Sequence, residues 1–119
     1  MILSPEEQYK EIIQAVKSGD NKAKTKLAYY KLSGYGGCEI DADEAVVLLV
    51  ERVKDKDTEA MWLLGLCHEY GMGCEQDLNE AESLYKQSND DGNEIGKFFV
   101  ENGKDRRGTG VMDVEGGLS

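Results

Sequence analysis

The 119 residues predict an all-α protein, a solenoid of stacked helix pairs, and three observations predict it. A motif is copied along the chain. GCEIDADEAVVLLVE, beginning at Gly37, lies over GCEQDLNEAESLYKQ, beginning at Gly73, at an offset of 36 with Gly, Cys, Glu, Asp, Glu, Ala and Leu identical. Upstream, Ala23-x3-Leu27-Ala28 lies over Ala60-x3-Leu64-Gly65 at an offset of 37, so the first glycine loop absorbs one extra residue. Self-similarity at a fixed pitch marks an array of supersecondary units. Between glycine corners the apolar residues fall at helical spacing. Proline occurs once in a chain rich in charge, as suits helices.

Taken in order, Ser4 is an N-cap, Pro5 suits the first helical position, and Glu7 completes a capping box. Tyr9, Ile12, Ile13 and Val16 line this first helix, predicted over 5–18, and Gly19 ends it. Asp20 or Asn21 caps a second helix carrying Ala23, Leu27, Ala28, Tyr29 and Tyr30, which Gly34-Tyr35-Gly36-Gly37 stops. Asp41 or Asp43 opens a third through Ala45, Leu48, Leu49 and Val53, completing a repeat over 21–55. Asp57 or Thr58 starts the fourth, with Ala60, Leu64, Gly65 and His68 on one side, up to Gly71-Met72-Gly73. Asp77 starts the fifth, with Leu78, Ala81, Leu84 and Tyr85, and the second repeat spans 58–90. Gly65 costs roughly 1 kcal/mol inside a helix, which a close crossing by another backbone would compensate. A sixth helix containing Ile95, Phe98, Phe99 and Val100 makes a half repeat over 93–104. Residues 105–119 read as a flexible glycine-rich tail beyond the 1–104 repeat domain.

The charge balance, 24 acids against 14 bases for a net of −10, disfavours nucleic acid and anionic membrane surfaces and favours a basic partner. No apolar run has the length of a membrane span, and Met1-Ile2-Leu3 runs straight into Ser4-Pro5-Glu6-Glu7 without a signal-peptide pattern. Three cysteines, an odd number, fit a reducing compartment. The expectation is a cytoplasmic protein.

At the repeated residues the chain resembles the Sel1-like repeat family, whose pattern is Ala-x3-Leu-Gly-x2-Tyr-x2-Gly-x-Gly-Val, then Asp and an alanine-led helix closed by glycine. Ala60, Leu64, Gly65, Gly71, Gly73, Asp77, Ala81, Tyr85 and Gly92 match it, while His68 replaces the tyrosine and Cys74 the valine. In the first repeat Ala23, Leu27, Gly34, Asp41 and Ala45 match, and Ala28, Lys31 and the longer loop depart. Between the two main repeats Lys56 and Ala60 stand for the small pair seen as Gly19/Ala23 and Gly92/Gly96. Tetratricopeptide repeats, with a shorter pitch and no double-glycine loop, match less well. The resemblance covers roughly Glu11 to Val100. It implies a right-handed αα-superhelix of about two and a half repeats, in which neighbours cover each other's apolar faces. The first helix would then be the second half of a preceding pair. The unfinished last repeat could join its counterpart in a second copy as a weak homodimer, the alternative being a monomer.

Family members commonly serve as non-catalytic adaptors or scaffolds, so the resemblance implies a protein- or peptide-binding module with no cofactor. A regulatory domain of a larger enzyme is the alternative, and a small hydrolase the third reading. In such solenoids the first helix of each pair lines the concave surface. Tyr29, Trp62, Leu66 and Phe98 would form an aromatic-aliphatic strip there, edged by acids such as Glu69, suited to a bound peptide. The same side chains could instead pack successive first helices together.

Other constellations fail on chemistry. Cys67, His68 and Cys74 lack a second pair to close a zinc site, and Cys67 and His68 diverge on a helix. His68, in a tyrosine slot, reads as a core or hydrogen-bonded residue. Some secreted relatives carry disulfides between paired helices, but these three cysteines do not follow that pairing and are expected to be free thiols. A calcium loop around Gly92 would put Gln87 and Phe98 where acids are required. The glycine loops lack the Lys-Ser/Thr of a P-loop. Asp41/Asp43 and Glu80/Glu82 read as caps and solvated faces. Arg106-Arg107-Gly108-Thr109 has the form used by basic-directed kinases, and Arg107 to Asp113 distantly echoes a glycine loop.

Overall fold

The computed structural model describes residues 2–103. The expectations for the tail, for Arg106 to Thr109 and for the echo up to Asp113 lie outside them. Six helices follow one another: α1 (Pro5–Lys17), α2 (Asn21–Ser33), α3 (Ala42–Lys54), α4 (Thr58–Tyr70), α5 (Leu78–Asp90) and α6 (Glu94–Glu101), with one 3-10 turn at Tyr35–Gly37. No strand occurs among the described residues. α2/α3 and α4/α5 are complete hairpins, each helix packing on the next, and α4 also touches α2 and α6. The αα-superhelix expected from the repeats is the observed architecture.

Each start is fixed by a side-chain cap, and the caps come in two forms. Asp20, Asp57 and Asn93 open the first helices of the pairs, each accepting from two successive backbone N–H groups, at 3.0 and 3.4 Å, 3.0 and 3.3 Å, and 2.8 and 3.1 Å. Ser4, Asp41 and Asp77 open the second helices by accepting only from the third residue onward, at 3.2, 3.0 and 3.0 Å. Each cap stabilises its helix by about 1 kcal/mol. The Ser4 cap of α1 thus shares its form with the caps of α3 and α5. Glu7 Oε1 closes the capping box on the Ser4 N–H at 2.9 Å.

The structure also locates the extra residue of the first loop. Gly34 and Gly71 are equivalent left-handed C-caps. Gly36 and Gly73 then press against the start of the preceding second helix: a Cβ on Gly36 would lie 2.6 Å from the Pro5 carbonyl, and one on Gly73 would overlap the Ala42 carbonyl. Gly37 has open space around it. Gly36, not Gly37, is therefore the partner of Gly73, and Gly37 is the insertion.

Packing centres on α4. Ala28, Ala45, Leu49, Ala60, Met61, Leu63, Leu64, Cys67 and Leu84 form one core cluster. The sequence places one face of α4 inward, but Met61, Leu63, Cys67 and Glu69 are buried as well, because α3, α5 and α6 cover it from several sides. Over Gly65 the ring of Tyr85 lies where a side chain would otherwise be: a Cβ would sit 2.6 Å from Tyr85 Cε1. The compensation for a glycine in mid-helix is thus an aromatic side chain packed on it, not the crossing by another backbone that the sequence suggested.

Candidate functional site

The strip on the first helices is built from two repeat positions of α2, α4 and α6. Tyr29 is 45% exposed and Phe98 58%, while Trp62 and Leu66 between them are half-buried. Thr25, which matches Trp62 one repeat earlier, is buried instead and donates to Asp57 Oδ2 at 2.6 Å. Trp62 leans on the next first helix, its ring 5.9 Å from Phe99, and its enclosed indole N–H has no hydrogen-bond partner among the described residues. Phe99 also lies 5.6 Å edge-on from Phe98 and stacks on Tyr85 at 4.5 Å. Trp62 thus serves the packing of successive helices, whereas Tyr29 and Phe98 present ring surface to solvent. Phe99 is the residue that sequence reasoning missed. Its signal was the paired aromatics of α6, one of which had to face inward.

Glu69 does not edge the strip. It is only 6% exposed, and the Tyr85 hydroxyl donates to its Oε1 at 2.6 Å. Position 69 follows Gly65 by one helical turn, so it lies on the side where Tyr85 crosses, and the phenol reaches it there. A carboxylate taken from water needs such a partner. Its expected role at a binding surface is corrected to a core hydrogen bond.

The cysteines carry free thiols, with Cys38 and Cys67 buried and Cys74 partly so. The loop brings Cys74 Sγ to 3.6 Å from His68 Nδ1, a proximity the sequence did not reveal, and the same ring nitrogen lies 3.4 Å from the Glu75 carbonyl. Burial pushes the Cys74 thiol up and drives Cys67 from 9.0 to about 12, with the nearby Cys74 adding to it. A thiol kept protonated is a poor nucleophile. Among the described residues no group of three or more His, Cys, Asp or Glu side chains could hold a metal ion. Nor is any described helix long and apolar enough to cross a membrane.

The Cys67 shift has a checkable result. At pH 8 the folded chain is expected to leave Cys67 unalkylated by iodoacetamide while Cys74 reacts, read by peptide mass spectrometry; equal labelling would contradict the burial. The unfolded chain loses this proton first, so the protonated thiol's contribution to stability is fully present below pH 9.0 and is lost as pH rises towards about 12.

Set against known proteins, residues 21–49 and 58–93 match the family model described as Sel1 repeat. The crystal structure of a Sel1 repeat protein from Oxalobacter formigenes superposes with a TM-score of 0.71 at 24% identity, covering 83% of this chain and 39% of that one. The structure of c5321, a protective antigen present in uropathogenic Escherichia coli strains displaying an SLR fold, gives 0.64 at 22% identity, covering 77% of this chain and 20% of that one. At these identities the likeness establishes the fold, and the chain spans well under half the length of either protein. No curated protein sequence matches.

Proposed function

This chain belongs to the Sel1 repeat family, and from that premise we propose a non-catalytic adaptor that binds a protein segment along the first helices of its pairs. Sel1 repeats are in general protein-protein interaction modules. The observation that carries the reading is the exposed aromatic surface on the same side of successive first helices, drawn from two repeat positions one turn apart: Tyr29 with Leu66, and Trp62 with Phe98. Tyr29 and Phe98 stand at either end with Trp62 and Leu66 between, and Tyr29 and Phe98 are covered by no neighbouring element to the extent their size would demand in a core. Rigid aromatics repeated along a groove are the usual anchors of peptide recognition. The acidic chain complements a basic segment, and cytoplasmic residence fits its three free thiols.

The test is peptide selection from a random display library, followed by mapping of the selected peptide on the ¹⁵N-labelled chain. Shifts are expected in α2, α4 and α6, and Tyr29→Ala and Phe98→Ala should each weaken binding by roughly ten-fold. A footprint confined to α1, α3 and α5, or unchanged affinity in both variants, would overturn the reading. Sedimentation of the same variants separates it from self-association. If Phe98→Ala turns a concentration-dependent dimer into a monomer, the α6 end of the strip belongs to a second copy.

A further inference from the structure

Three turns lead from a second helix into the next first helix, and one of them is different. After α1 the left-handed residue is Gly19 (φ 94), whose N–H bonds to Val16 O at 3.0 Å while Asp20 N–H reaches Ala15 O at 2.9 Å. After α5 it is Gly92 (φ 96), with the same pair of bonds to Asn89 and Ser88. This is the Schellman stop, where glycine is preferred because a side chain crowds the left-handed backbone. After α3 the same bonds form, but the left-handed residue is Lys56 (φ 64). Lys56 is the one described non-glycine residue with positive φ. A side chain held in strain where its counterparts have none points to a use for that side chain.

Beside this turn lies a cleft of about 390 Å³, lined by Lys22, Lys26, Arg52 and Lys56 together with Asp55, Asp57 and Glu59. Two of the three acids are already committed. Arg52 Nη1 holds Asp55 Oδ2 at 2.8 Å, and its Nε stands 3.5 Å from Asp57 Oδ2. Asp57 also accepts from Thr25 and caps α4. Lys24 and Lys31, on the same helix as Lys22 and Lys26, pair with Glu51 at 2.7 Å and Glu44 at 3.2 Å. Lys22, Lys26 and Lys56 have no ion pair among the described residues. Four cationic and three anionic side chains therefore line the cleft, a local surplus of one positive charge on a chain of net charge −10, and three of the four cations are lysines without an ion pair among the described residues.

We propose that this cleft receives the phosphorylated side chain of a partner protein segment. Lys22 and Lys26 are one turn apart on one face of α2, and Lys56, in the turn between α3 and α4, lines the same cleft. A phosphoryl group carries a charge of about −1.5 to −2 and three strong acceptor oxygens, enough to engage all three, whereas a carboxylate carries one charge. The volume admits the group with the side chain that bears it. A nucleic acid, with its run of phosphates, would meet the acidic remainder of the chain. The site stands independently of the aromatic strip: Lys22 and Lys26 precede Tyr29 on α2, but the anion binds with the strip vacant.

The test is a ¹⁵N titration at fixed ionic strength with four probes: inorganic phosphate, a short peptide bearing one phosphoserine between glycines, and its serine and glutamate counterparts. The phosphopeptide is expected to shift amides of residues 22–26 and 52–59 saturably and at least ten-fold more tightly than the glutamate peptide, with inorganic phosphate weaker at the same amides. Lys56→Gly should raise Tm by a few degrees, because glycine relieves the left-handed strain, yet weaken the phosphopeptide at least five-fold. Lys22→Gln with Lys26→Gln should weaken it likewise without moving Tm, and Tyr29→Ala should leave it unchanged. Absence of saturable shifts, equal affinity for the glutamate peptide, or full binding by Lys56→Gly would overturn the proposal. Inorganic phosphate binding as tightly as the peptide would overturn the protein segment as its source.

Discussion

A Gly73→Ala chain is expected to lose about 3 kcal/mol of stability or more, enough to unfold much of a marginal domain. Gly73 has φ +71, and its Cβ would overlap the Ala42 carbonyl and come within 2.9 Å of Val46 Cγ2. The obstacle is backbone at the start of α3, held by the Asp41 cap, so it cannot swing aside as a side-chain tip would. Gly37→Ala is the internal control. It has φ +79 with nothing within 4 Å, so only the left-handed penalty of about 1–2 kcal/mol applies. Urea and thermal unfolding of both variants measure the difference. Equal losses would mean that the close approach of loop to helix does not hold adjacent repeats together.

Gly65→Ala carries the second large effect, about 2–3 kcal/mol, since its Cβ would sit 2.6 Å from Tyr85 Cε1 in a well-packed centre. The first repeat solves the same crossing differently. Ala28, Leu32 and Leu49 stand where the second repeat has Gly65, Glu69 and Tyr85. Ala28 and Leu49 are wholly buried, and Leu32 packs against their cluster. Installing that set, Gly65→Ala with Glu69→Leu and Tyr85→Leu, is expected to recover at least half of the loss. Recovery stays incomplete because Tyr85 also stacks on Phe99. Gly65→Ala with Tyr85→Leu alone should do worse than the triple change, since the buried Glu69 loses the phenol that donates to it. Chemical denaturation of the three variants decides the order. If the double variant matched the triple, the Tyr85-Glu69 bond would contribute nothing to the crossing.

Much of this fold could be read from the sequence because its signals are local. The α1 to α5 hydrophobic faces, the Ser4 capping box and the Asp57 and Asp77 starts each depend on residues within a turn or two of one another. The Sel1 repeat pattern then supplied the pairing of helices. The strip was legible only in part. Periodicity groups Trp62, Leu66 and Glu69 loosely on one side of α4, but Glu69 lies near the edge of that side, and the crossing helix decides which way it is taken. Loop register was misread at Gly37 for a similar reason. Two adjacent glycines are equivalent as letters, and only the approach of Pro5 and Ala42 distinguishes Gly36 from the insertion. Lys56 carried a signal that could have been used, since it stands in the place of Gly19 and Gly92.

The sequence by itself determined where helices begin and end, which residues share a face, and that two hairpins repeat one plan. Caps, glycine stops and apolar spacing act within a few residues, so they need no knowledge of what lies across the molecule. Only the tertiary structure decided that Tyr85 fills the gap over Gly65, that Glu69 is a core partner, that Phe99 joins Trp62 to Tyr85, and that three lysines without an ion pair among the described residues line one cleft. Those facts depend on the distance between elements far apart in the chain, and that distance is set by the combined volumes of all the side chains between them.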